Sequence, residues 1–256
     1  MNTRRRNRNV RVSYPFKRGP MGRAVCLALC LFSLAPGVLA SETRAVGSAF
    51  DKASGELLYK ELHRCLVNEE YCSVEYRDNA GKLLASKTLD YRGKPYQPSL
   101  VVKDYRFGSE VSVGPPNDDA LVVDAGFDNF VRSRWEVLNS GGSVQFDFLV
   151  PGRDTPIAMR ADRDNREDCD AGALCIQVGL DSWLLARFVD PILLTYASDD
   201  RLLLRYDGPG NLASRDGSMP NVVIYYEHLE TQDWELFDWG SEDLIVNDWT
   251  ESRIAR

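Results

Sequence analysis

The stretch Ser143–Val150 (SVQFDFLV) alternates without a break, with Val144, Phe146, Phe148 and Val150 on one side and Gln145 and Asp147 on the other. A period of two over this length specifies a strand with one buried and one wet face. The pattern recurs along the chain. Glu56–His63, Ser73–Arg77 and Leu83–Tyr91 repeat it, Val101–Tyr105 and Glu110–Val113 repeat it more weakly, and it returns at Pro156–Ala161, Leu174–Leu180, Ile192–Tyr196, Arg201–Tyr206 and Asn221–Tyr226. Turn residues separate these runs, and at Phe50-Asp51, Tyr76–Asp78, Tyr196–Asp199 and Tyr206-Asp207 an aromatic closes a strand before an Asp-containing turn. Such a chain folds as an antiparallel meander.

One segment changes period. In Asp124–Leu138 (DAGFDNFVRSRWEVL), Phe127, Val131, Trp135 and Leu138 recur at helical spacing with Phe130 beside them, and Asp128, Arg132 and Glu136 lie opposite. Asp124 is the expected N-cap and Asn139–Gly142 the stop. Asp181–Val189 (DSWLLARFV) reads as a short helix or apolar bend ended by Pro191. The expected fold is mainly β with some α: a curved antiparallel sheet or half-barrel covered by one main helix near residues 124–138.

Residues 1–40 do not belong to that domain. Arg23, an uncharged apolar run Ala24–Leu34, the breakers Pro36-Gly37 and the small residues before Ser41 have the order of an export signal, with cleavage expected near Ala40. The apolar run is too short to span a bilayer, where about 20 residues are needed. The leader holds eight of the 31 basic residues and none of the 38 acidic ones, so the remainder carries a net charge of −15. That balance repels nucleic acid and anionic lipid surfaces. Residues 41–229 are long enough for a single buried domain. An exported domain folds in an oxidising compartment, so Cys65, Cys72, Cys169 and Cys175 read as disulfides. Three connectivities are possible for four cysteines, and local pairing, Cys65–Cys72 and Cys169–Cys175, is favoured because short loops close cheaply.

The order of export signal, Gly55–Tyr59 (GELLY), the Tyr76–Gly81 turn (YRDNAG), the helix start Asp124–Val131 (DAGFDNFV) and Arg201–Leu212 (RLLLRYDGPGNL) resembles a group of uncharacterised periplasmic proteins of Gram-negative bacteria. The resemblance runs from about Phe50 to Tyr226 and implies periplasmic localisation and the fold, with no activity. The element order is also similar to the half-barrel of periplasmic lipoprotein carriers, in which a curved sheet wraps a helix around an apolar cavity. That similarity is one of topology and transfers no site residue.

The chemistry is sparse. Neither cysteine pair has C-x-x-C spacing, which argues against zinc or a redox dithiol. The acidic run Asp162–Asp170 lacks the glycine of a calcium loop, carries Arg166 at a ligand position, and reads as a solvated turn. His63 and His228, the two histidines, have no nucleophile motif around them, so no catalytic residue, metal or cofactor is expected. Residues 230–256 repeat an acid–Trp step at Trp234, Trp239 and Trp249 amid further apolar residues. A disordered tail rarely carries that aromatic content. The segment either packs over the sheet or docks a partner through its tryptophans. The leading expectation is non-catalytic binding of an apolar or acyl ligand in a cavity lined by Phe127, Phe130, Trp135, Phe146, Phe148, Trp183 and Phe188. The alternative is an envelope interaction or structural protein that docks a partner through edge strands or the Trp-rich segment.

Overall fold

The structure is a computed structural model that describes residues 43–66, 70–114, 121–166, 168–182, 184, 187 and 189–229. The signal-like leader, Trp183, Phe188 and the Trp-rich segment 230–256 lie outside the described residues. So do four of the nine residues of the apolar bend expected at Asp181–Val189.

Strands β1 (Thr43–Asp51), β2 (Leu57–Cys65), β3 (Tyr71–Arg77), β4 (Leu83–Asp90), β5 (Ser99–Asp104) and β6 (Ser109–Val113) form a first meander. Then come β7 (Leu121–Val123) and two short helices, α1 (Gly126–Ser133) and α2 (Trp135–Asn139). Strands β8 (Ser143–Leu149), β9 (Ile157–Arg163), β10 (Ala173–Leu180), β11 (Ile192–Ala197), β12 (Leu203–Pro209) and β13 (Asn221–Leu229) form a second meander. All 13 strands join in one sheet, ordered β6-β5-β4-β3-β2-β1-β13-β12-β11-β10-β9-β8-β7. Every pairing is antiparallel except β7 with β8.

This order forces curvature. Thirteen strands laid flat at about 4.8 Å spacing would hold the edge strands roughly 58 Å apart. Yet β6 and β7 are consecutive in the chain, and the few residues between Val113 and Leu121 reach at most about 28 Å. The sheet therefore curls until its edges approach, and Gly152, between β8 and β9, lies against Val111 of β6. No ladder joins β6 to β7, so the sheet is curved and unclosed.

The concave face holds two apolar clusters. One gathers Ala49, Tyr59, Val74, Tyr76, Leu89 and Leu100 with Val222, Ile224 and Tyr226. The other gathers Ile176, Leu194 and Tyr196 with Phe130, Val131, Trp135 and Leu138 of the helices. β7 divides them, since Leu121 and Val123 belong to the first cluster and Val122 to the second. A strand buried on both faces reads as a continuous apolar run, as Leu-Val-Val does. Among the described residues no helix is long and apolar enough to cross a membrane.

The single helix expected over residues 124–138 is two helices. Arg134 leaves helical geometry (φ −105°, ψ 12°), and its N–H is shared between the carbonyls of Phe130 and Val131. The Ser133 hydroxyl donates to the Phe130 carbonyl at 2.6 Å, a back-bond that competes with regular helix propagation. Nor does Asp124 cap the helix. The N-cap is Ala125, with no side-chain cap bond, while Asp124 turns the chain in the left-handed region (φ 44°) and commits its carboxylate elsewhere. Gly126 follows because a Cβ there would stand 2.5 Å from the Tyr96 carbonyl oxygen.

Both disulfides pair locally, Cys65–Cys72 and Cys169–Cys175. Cys65 stands directly opposite Cys72, so the first staples the loop end of the β2–β3 hairpin. A loop this short constrains the unfolded chain by about 2.5 kcal/mol. Replacing both Cys65 and Cys72 with alanine is expected to lower the unfolding free energy by about that amount, read from urea denaturation.

Candidate functional site

Five of the seven residues expected to line a cavity are described, and the structure brings them together. Phe130 and Phe146 pack with ring centroids 4.8 Å apart, Phe127 stands 5.5 Å from Phe146 and 6.1 Å from Phe148, and Trp135 meets Tyr196 edge-on at 6.1 Å. Phe130, Trp135 and Phe146 are buried, whereas Phe127 and Phe148 are half-buried at the margin. The group forms because α1 lays its apolar stripe across the alternating inward residues of β8.

A second constellation was not legible as a site. Glu61 of β2 is fully buried on the concave face. Its carboxylate accepts from His63 Nε2 at 3.0 Å, from Asn211 Nδ2 at 2.7 Å and from the Tyr226 hydroxyl at 3.1 Å. The Asn211 backbone N–H donates to the Tyr59 hydroxyl at 2.9 Å, which ties the loop after β12 to β2. Burial pushes the Glu61 carboxyl up, but the hydrogen bond and charge of His63, with the donors of Asn211 and Tyr226, hold it below the usual carboxylate range. Burial and the Glu61 charge push the Tyr226 phenol well up, so it remains a donor. Tyr226 reaches Glu61 by crossing Gly47 of β1, where a Cβ would stand 2.7 Å from the ring. The sequence signal was E-L-H at Glu61–His63, which a strand places on one face two residues apart.

His228 shares that face. It and His63 flank Ala45 on either side. Its Nε2 lies 2.8 Å from the Leu203 carbonyl, and burial lowers its pKa. Nearby, Lys87 Nζ meets the Asp124 carboxylate at 2.6 Å with both side chains largely buried. This pair joins β4 to the turn that starts α1, and it is the use to which Asp124 is put instead of capping.

The acidic turn is neutralised by arginines. Asp162 pairs with Arg160, Asp164 and Asp168 pair with Arg166, and Arg205 reaches Asp168 and Asp207. Arg166 also donates to Thr195 Oγ1 at 2.7 Å, which folds the turn back over β11. Among the described residues no group of three or more metal-ligating side chains converges.

An open concavity of about 680 Å³ lies at the stapled end of β2–β6. Leu66, Tyr71, Leu89, Leu100, Val101 and Val113 give it an apolar lining, with Arg64, Ser73, Thr88, Asp90, Ser99 and Ser112 among them. None of the five described residues expected to line a cavity belongs to its lining. Its apolar residues come from several strands at one register, a convergence that appears only once strand pairing is known.

No family model matches the chain, and no curated protein matches it. Among solved structures, the chain is similar to a crystal structure described as an outer membrane lipoprotein-sorting protein domain from Vibrio parahaemolyticus. That likeness has 10% identity over 77% of this chain and 90% of the other, at a TM-score of 0.26. A likeness at that score carries no argument.

Proposed function

We propose that this chain is an exported, non-catalytic protein that binds an apolar or acyl ligand in the concavity at the stapled end of β2–β6. The observation that carries the reading is the concavity itself. Its volume of about 680 Å³ lies within the range of small-molecule pockets. Its lining combines an apolar floor with a few polar groups, Thr88, Asp90 and Ser99 among them, able to fix a headgroup. Two disulfides support an oxidising compartment and therefore export. Glu61, the buried carboxylate that could orient a histidine base, has its oxygens engaged by three donors within the fold. That engagement supports a structural role for it.

The test is to purify the protein through the periplasm without detergent and analyse a denaturing organic extract by mass spectrometry. The expected result is a near-stoichiometric apolar compound that is lost from Val101→Arg. An empty extract from folded protein overturns the reading. Retention in Val101→Arg with loss in Phe148→Arg moves the seat to the half-buried margin of the aromatic cluster.

A further inference from the structure

The convex face of the central strands carries side chains that should be wet. On β1 and β2, alternation sends Ala45, Gly47, Ala49, Tyr59, Glu61 and His63 to the concave side, and Val46, Ser48, Lys60 and Leu62 to the opposite side. These four are nevertheless 0%, 1%, 2% and 1% exposed. Val46 stands opposite Leu62, and Ser48 opposite Lys60, so they form one compact patch. Val46 and Leu62 belong to neither concave-face cluster. Among the described residues, the helices and β7 serve the concave side, and the Cys169–Cys175 turn covers β11 and β12 much further along the sheet.

We infer that the acidic Trp-rich segment 230–256 covers this convex patch of β1 and β2, setting tryptophans on Val46 and Leu62 and carboxylates beside Lys60, Arg44 and Arg64. Continuity supports it. The segment begins where β13 ends, and Leu229 stands opposite Arg44 of β1, which stands opposite Arg64 of β2. From there Ser48 is four residues back along β1, about 13 Å, well within the reach of the segment. Charge supports it as well. The segment has eight acidic residues against two arginines, whereas residues 1–40 have eight basic residues and no acid. A lysine as buried as Lys60 calls for an anionic or carbonyl neighbour. The acid–Trp step at Trp234, Trp239 and Trp249 supplies an anion and a flat apolar surface in adjacent residues.

The experiment places a diazirine analogue of leucine at position 62 of the full chain and maps the photo-cross-link by peptide mass spectrometry. A cross-link to a peptide within 230–256 is expected. Replacing Trp234, Trp239 and Trp249 together with alanine should then reduce its yield roughly tenfold, as a cover that opens locally would. A cross-link to residues 1–42, to a second copy or to another protein overturns the inference. The absence of any cross-link overturns it too, because a fully buried side chain always has a neighbour. Should the triple alanine variant fail to fold, the near-isosteric probe at position 62 still decides.

Discussion

Glu61→Leu is expected to lower the unfolding free energy by about 3–5 kcal/mol, the range for breaking a buried, charge-assisted network by removing one member. The lost carboxylate is the common acceptor of His63, Asn211 and Tyr226, so one substitution leaves several donors facing an apolar side chain. Those donors come from β2, the loop after β12, and β13, so the damage reaches the central seam of the sheet. For a domain of this size the melting temperature should fall by roughly 10 °C or more. The same group gives the fold a pH dependence. Its folded-state pKa lies below the unfolded value, so its stabilisation is present above roughly pH 4.3 and is lost as the pH falls through the folded value. His228 acts earlier in the same direction. Its folded pKa lies below 6.5, so as the pH drops past that value the unfolded chain takes up the proton first and stability declines. Urea midpoints of the parent protein should fall steadily from pH 7 to pH 4 and steepen below. In Glu61→Leu the steep acid limb should be reduced. An unchanged acid limb would remove Glu61 as its source.

The Lys87–Asp124 pair should behave differently. Lys87→Met leaves Asp124 charged and largely buried, and a loss of about 3–5 kcal/mol is expected. Asp124→Asn in the Lys87→Met background removes that orphaned charge, and asparagine tolerates the left-handed backbone of this position. The double variant should therefore recover most of the loss, since a buried pair replaced as a unit is often close to neutral. A double-mutant cycle by urea denaturation measures this. Additive losses would mean that the pair is less coupled than its 2.6 Å contact implies.

These two sites differ in how far they could be foreseen. The strands were legible wherever apolar and polar residues alternate, as at Ser143–Leu149, because packing on one face imposes that period. β1 was not, since TRAVGSAFD offers small residues where a strand usually shows large ones. Gly47 explains the composition: Tyr226 lies across it, so the central strand is thinned to let a neighbour's ring reach Glu61. β7 escaped because three residues carry no period. The helix was visible from its apolar spacing, but its break at Arg134 and the diversion of Asp124 to Lys87 depend on neighbours far away in the chain. The disulfides needed only loop length and compartment. The concavity needed the register of five strands, which no local pattern contains.

The place of β1 in the sheet has a consequence for how the chain is made. Each meander pairs strands close in sequence, which fold quickly. β1, however, is flanked by β2 on one side and by β13 on the other, so Arg44 waits for Leu229. During vectorial emergence from a ribosome or a translocation pore, one edge of β1 stays unsatisfied until β13, the last of the described strands, has appeared. An open strand edge recruits other strands, including those of a second nascent copy. The late zippering of β1 to β13 is thus the step most exposed to error in biogenesis, and a holdase that shields an early edge would act there.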